Sequence, residues 1–162
     1  MKFVWMTLGL LGLTLSGVEA RLGESPEQLE KRFGKPLQQV PAGVGDLRQY
    51  VYLNKDLMIT ILVTGNESVL EQYVRLKETP KPGQEPVLLP IPEALGQAIL
   101  GRNAEGSSWE PYESNATLRR FVRKDQKAFG SFAMEKGSIT EVRISSKDMV
   151  DFAEKLRKSK AN

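Results

Sequence analysis

"LRQYVYLNKDLMITILVTGNESVLEQYVRLK", residues 47 to 77, decides the fold. Two polar breaks, at Asn54-Lys55-Asp56 and Gly65-Asn66-Glu67-Ser68, divide it into three runs rich in branched and aromatic residues. In the middle run Leu57, Ile59, Ile61 and Val63 alternate with Met58, Thr60, Leu62 and Thr64. A period of two with one wholly apolar face is the pattern of a strand with one side buried. In the third run Leu70, Val74 and Leu76 fall on one face, and Glu71, Tyr73, Arg75 and Lys77 on the other. The stretch predicts a three-stranded antiparallel meander, with the first face of the third strand turned to the core.

Upstream lies "RLGESPEQLEKRFGKP", residues 21 to 36. Ser25 suits a helix N-cap, Pro26 the first helical position, and Gln28 completes a capping box. Leu29 and Phe33 stand four apart and share one face. Gly34 permits a left-handed ending, and Pro36 blocks continuation. These residues predict one short docking helix before the meander.

Gly23, Ser25, Leu29, Phe33, Gly34 and Pro36 resemble, in type and spacing, the opening of the fold shared by the beta-lactamase inhibitory protein and the small outer-membrane assembly lipoprotein. Small secreted bacterial proteins with the same opening look similar too. The resemblance is confined to residues 23–36. It implies a helix followed by a loop and a β-hairpin, and a role in recognising proteins. The chain has neither the lipoprotein's acylated cysteine nor the inhibitor's disulfides, because it contains no cysteine, so neither of those partners carries over.

Downstream, residues 78 to 92 hold five of the nine prolines. Proline lacks an amide for a sheet ladder and favours an extended backbone. The segment reads either as a linker or as a strap packed through Val87, Leu88, Leu89 and Ile91. Beyond it, "PEALGQAILGR" (92–102) echoes "PEQLEKRFGK" (26–35), and "TLRRFVRK", "KAFGSFAME" and "ITEVRIS" suggest a second meander. Glu141 to Ile144 echoes Glu71 to Leu76 as well. Helix, turn and strand order recurring together predicts an internal repeat. A last helix is expected from Ser145 or Ser146, with Met149, Phe152, Ala153 and Leu156 as its apolar stripe.

The fold class expected is therefore α+β: two helix-plus-antiparallel-meander units in tandem and a C-terminal amphipathic helix. The expected divisions are 1–20, 21–77, 78–91 and 92–162. Residues 1–20 read as a signal peptide, with Lys2, an apolar run over 3–17, and Val18 and Ala20 placed for cleavage before Arg21. A retained anchor is the alternative, but the run is shorter than the ~20 apolar residues of a spanning helix. The expected location is secreted or periplasmic, with no transmembrane segment after cleavage.

The 162 residues include no cysteine and no histidine, and their formal net charge is +3. A framework of disulfides is excluded. So are Ser-His-Asp catalysis, a Cys-His pair and every histidine-ligated metal site. "GRNAEGSS" (101–108) has the glycine spacing of a phosphate loop without its lysine, and Gly101 reads better as a helix C-cap. No carboxylate pair has the support of a motif. No enzyme activity, cofactor or metal is expected.

Two groups of residues remain as binding candidates. Arg119, Arg120, Arg123 and Lys124 are the densest charge in the chain, close to aromatics that could bind anionic material. On a strand they split between faces, which fits a solvated hairpin better and disfavours nucleic acid. Trp109 and Tyr112, in an apparent loop, read as a lid on the core or as interface anchors, and Tyr73 joins them as a candidate anchor. The functional expectation is a noncatalytic module of the bacterial envelope that binds another envelope or extracellular protein. The alternative is a binder of anionic lipid or glycan through the basic hairpin.

Overall fold

A computed structural model describes residues 21–80 and 84–160. The expected signal peptide lies outside the described residues, as do positions 81–83 and the last two of the chain. In chain order the elements are α1 (Pro26–Phe33), β1 (Gln38–Pro41), β2 (Arg48–Asn54), β3 (Leu57–Thr64), β4 (Glu67–Leu76), β5 (Leu88–Leu89), α2 (Glu93–Arg102), β6 (Trp109–Tyr112), β7 (Leu118–Arg123), β8 (Ala128–Glu135), β9 (Ser138–Ser146) and α3 (Lys147–Lys160). The class is α+β, as expected. The strands form one antiparallel sheet in the order β1-β2-β3-β4-β9-β8-β7-β6, with β5 beside the end of β4.

Local chemistry explains the elements. Ser25 caps α1 and forms the full capping box: Gln28 N donates to Ser25 Oγ at 3.3 Å, and Ser25 N to Gln28 Oε1 at 2.8 Å. Gly34 ends the helix at φ 79°. Leu29 is fully buried, and the Phe33 ring lies 5.2 Å from that of Tyr52. The last helix takes the later of its two expected starts. Ser146 is the cap, accepting from Met149 N at 3.2 Å, whereas Ser145 stays in β9. Gly101 is not a C-cap: α2 runs through it to Arg102, and Asn103 ends the helix.

One core serves the whole chain. Leu29 of α1 and Ile99 and Leu100 of α2 pack on Tyr50, Tyr52, Ile59, Ile61, Tyr73, Phe132, Val142 and Ile144. The two helices therefore cover the same face of the sheet, while α3 packs over β4 and β9, where its Met149 and Phe152 face Leu47 and Val69 across a small cleft. Close approach of α2 to the sheet depends on glycine. A β-carbon at Gly130 would stand 2.6 Å from Leu100 Cδ2.

The facing of β4 departs from expectation. Register pairs Tyr73 with Ile59 and Glu71 with Ile61, which puts both on the helix-covered face. Both are fully buried, but Val69, Val74 and Leu76 are buried too. β4 sits at the centre of the sheet, covered on both sides, so its apolar residues alone do not mark the core face. Two strands, β1 and β6, add to the expected meanders; β6 takes in Trp109 and Tyr112, which had read as loop.

The Pro-rich segment runs as a strap where it is described, but Ile91 alone of its expected packing residues is buried; Leu89 is half-buried, and Val87 and Leu88 are exposed. Lys77 N donates to Val87 O at 2.9 Å, Leu88 and Leu89 pair with β4, and Ile91 N donates to Ile139 O at 2.7 Å. Either side of it the strands correspond at an offset of 71 residues. β3 starts at Leu57 and β8 at Ala128, and β4 starts at Glu67 and β9 at Ser138. Lys55 and Gln126, at the matching turns, both have positive φ. The register slips past Val69 in β4 and past Thr140 in β9. The same offset sets Glu71 against Val142, so the echo of Glu71 in Glu141 is one residue out of step.

Candidate functional site

The structure scatters the candidate residues. β6 sends its two aromatics to opposite faces: Trp109 pairs with Arg123 and Tyr112 with Arg120. Trp109 packs against the core cluster, and its indole N–H donates to Leu100 O at 2.6 Å. It is a lid that also satisfies a carbonyl near the end of α2. Tyr112 is 39 % exposed on the other face, 6.4 Å from the Phe129 ring. Tyr73 is wholly buried and is no surface anchor.

The basic run splits between faces and pairs with acids. Arg119 Nη1 lies 3.0 Å from Glu93 Oε2, and Arg120 Nη1 lies 2.9 Å from Glu113 Oε2. Arg123 turns inward and is only 3 % exposed. It meets Glu105 at 3.0 Å and Asp125 at 2.9 Å, and it donates to Asn103 O at 2.9 Å. Burial opposes its charge, yet those two carboxylates hold its pKa above the usual arginine value. Lys124 follows at the turn and is exposed. These residues form no single basic patch.

A buried polar cluster that the sequence analysis did not single out lies where the end of α2 meets β4. Tyr73 Oη donates to Glu71 Oε2 at 2.9 Å, and Asn103 Nδ2 donates to the same oxygen at 3.1 Å. Asn103 Oδ1 accepts Leu22 N at 2.9 Å. Glu71 Oε1 is buried without a hydrogen-bond partner among the described residues. Burial pushes the Glu71 carboxyl up to about 7, against the hydrogen bonds from Tyr73 and Asn103; Glu24 adds to the rise and Arg32 opposes it. A carboxyl held protonated to near neutrality suits a general acid, but one with no exposure reaches no solute. Its place is structural. The one available signal was an acid in the middle of a strand that also carries Gln72 and Arg75, and there it reads as surface.

Two open concavities lie on the α3 side. Leu70, Arg120, Arg143, Ser145, Met149 and Arg157 line a shallow cleft of about 720 Å³. Beside it, Tyr112, Phe129 and Ser131 line one of about 270 Å³. On the same face of β2 and β3, Val51, Leu53, Met58 and Leu62 are half-buried. Among the described residues no group of acids has the spacing of a metal site, and no helix is long and apolar enough to cross a membrane.

No family model matches the chain. No curated protein matches it either. Among solved structures, it is similar to a cysteine-rich secretory protein from Staphylococcus aureus, at 11 % identity and TM-score 0.46, over 80 % of this chain and 46 % of that one. An extracellular SCP-domain protein from Bacillus anthracis gives 10 % identity and TM-score 0.46, over 80 % and 45 %. A putative beta-lactamase inhibitor protein from Streptococcus mutans gives 15 % identity and TM-score 0.33, over 75 % and 82 %. The chain spans about half the length of the first two. At these scores the likeness assigns neither activity nor partner.

Proposed function

We propose that the chain is a noncatalytic module, exported to the bacterial envelope or beyond it, that recognises another protein through the open face of its sheet. One observation carries this reading: Val51, Leu53, Met58 and Leu62 form an apolar row on β2 and β3 that is only half-buried, while the opposite face is sealed by α1 and α2. Apolar rows of this kind bordered by polar groups mark interaction surfaces. Thr60, Gln49 and Gln72 supply the polar neighbours, and Tyr112 is an exposed aromatic at the far end of the same face.

The anionic-ligand alternative is weaker, because Arg119, Arg120 and Arg123 each already meet a carboxylate. The two are separated by pulling down from envelope extract with tagged wild type and with a Met58→Asp/Leu62→Asp variant that keeps its melting temperature. The proposal expects a protein retained at high salt by the wild type and lost by the variant. Equal retention by both overturns it. Retention lost at high salt with acidic lipid or glycan in the eluate transfers the role to the basic residues.

The same reading takes the chain as a tandem repeat of helix and meander. Its support is the 71-residue offset shared by strand starts, positive-φ turn residues and register slips. That offset also carries Gln72 onto Arg143, its own partner across the β4–β9 seam. A two-fold relation between the halves would pass through that pair.

A further inference from the structure

We propose that Glu24, with Ser68 and Asn103 behind it, is a seat for the free α-ammonium created when the chain is cut between Ala20 and Arg21, so that processing completes the fold.

Residues 21 to 24 are stitched to β4 and to the end of α2. Gly23 N donates to Ser68 O at 2.8 Å, and Ser68 N to Glu24 O at 2.9 Å. Ser68 Oγ donates to Arg21 O at 2.9 Å and accepts Glu24 N at 3.1 Å. Leu22 N reaches Asn103 Oδ1, and the Leu22 side chain packs against the core. Ser68 and Asn103 are 2 % and 0 % exposed. Ser68 and Asn103 thus anchor the segment, and Glu24 is the group that accepts Arg21 N.

The position of Arg21 N gives the site its chemistry. It lies 3.2 Å from Glu24 Oε2, while Glu24 Oε1 takes the Arg32 guanidinium. In an uncut chain Arg21 N is a neutral amide with one hydrogen. Hydrolysis of the Ala20–Arg21 bond leaves a carboxylate on Ala20 and an ammonium on Arg21, with water supplying the added atoms. A charged donor makes a shorter and stronger bond to a carboxylate than an amide does. The Glu24 side chain is 12 % exposed, but Arg21 is exposed, so solvent and salt screen the pair in part. Glu24 would then bridge two cations, and the bridge fixes the segment whose Leu22 amide orients Asn103 over Glu71.

The test begins with the full chain, exported by its own leader. Mass spectrometry of the exported product is expected to show Arg21 as the first residue, and a different start overturns the proposal. Protein beginning at Arg21 is then compared with the same protein acetylated at that amine. The free-amine form is expected to melt about 2–4 °C higher at pH 6.5. The difference should vanish at pH 10.5, well above the ordinary α-amine range of ~8, and should vanish at both pH values in Glu24→Gln. Equal melting of the two forms at pH 6.5 overturns the proposal, as does a difference that survives Glu24→Gln.

Discussion

Glu71 shows how one side chain ties stability to pH. Its folded carboxyl titrates at about 7, against 4.5 for an ordinary glutamate. A raised folded value means that the stabilising contribution is fully present below the unfolded value. It declines as pH climbs through the window between the two, and is gone above about 7. At ~1.4 kcal/mol per unit the loss is on the order of 3 kcal/mol. Urea unfolding at pH 5 and pH 8 should show the wild type losing stability across this range relative to Glu71→Gln, which has no proton to exchange there. Parallel pH profiles for the two proteins would remove Glu71 as the cause. Little of this was legible beforehand. An acid in "ESVLEQYVRL" carries the mark of a solvent-facing residue, and only the partners Tyr73 and Asn103 make its burial tolerable. Asn103 lies 32 residues away in sequence, beyond the reach of any local pattern.

At the scale of elements, legibility followed how local the physics was. The box of Ser25 and Gln28 and the ending at Gly34 depend on neighbours within a turn, and they read correctly. The alternation in β3 also held, because that strand has one face in the core and one half-exposed. β4 was read on the wrong face because burial on both sides removes the contrast that alternation relies on. β1 and β6 were missed since each is four residues long and ends in or contains proline. The docking of α2 offers a direct check. Gly130 has ordinary backbone geometry, so only space limits substitution there, and Gly130→Val would force its side chain into Leu100. Overpacking of this sort costs about 1–3 kcal/mol. Denaturant unfolding should record that loss, and an unchanged midpoint would show that α2 can ride away from β8 freely.

At the scale of the molecule, the described residues on either side of the Pro-rich segment share a single interior. Leu29 of the first half and Ile99, Leu100 and Phe132 of the second belong to one cluster, and the β4–β9 seam runs through the middle of the sheet. The sequence suggested a helix and meander on either side of a Pro-rich break and left open whether the two share a sheet, because it held no sign of which strands would meet. Residues 21–77 alone are therefore expected to show no cooperative melting transition by circular dichroism, whereas the chain from residue 21 to its end melts in one step. A cooperative melt of the short piece would mean that the first half holds its own core.

The two outermost strands, β1 and β6, carry Pro41 and Pro111. A sheet of this width ends in rows of amides and carbonyls that invite another chain to add on. Proline interrupts such a row, because it has no hydrogen to offer and its ring crowds the approach. Growth by adding strands from one copy to the next is thereby hindered at both borders. Each copy is therefore a poorer template for fibres of its own kind.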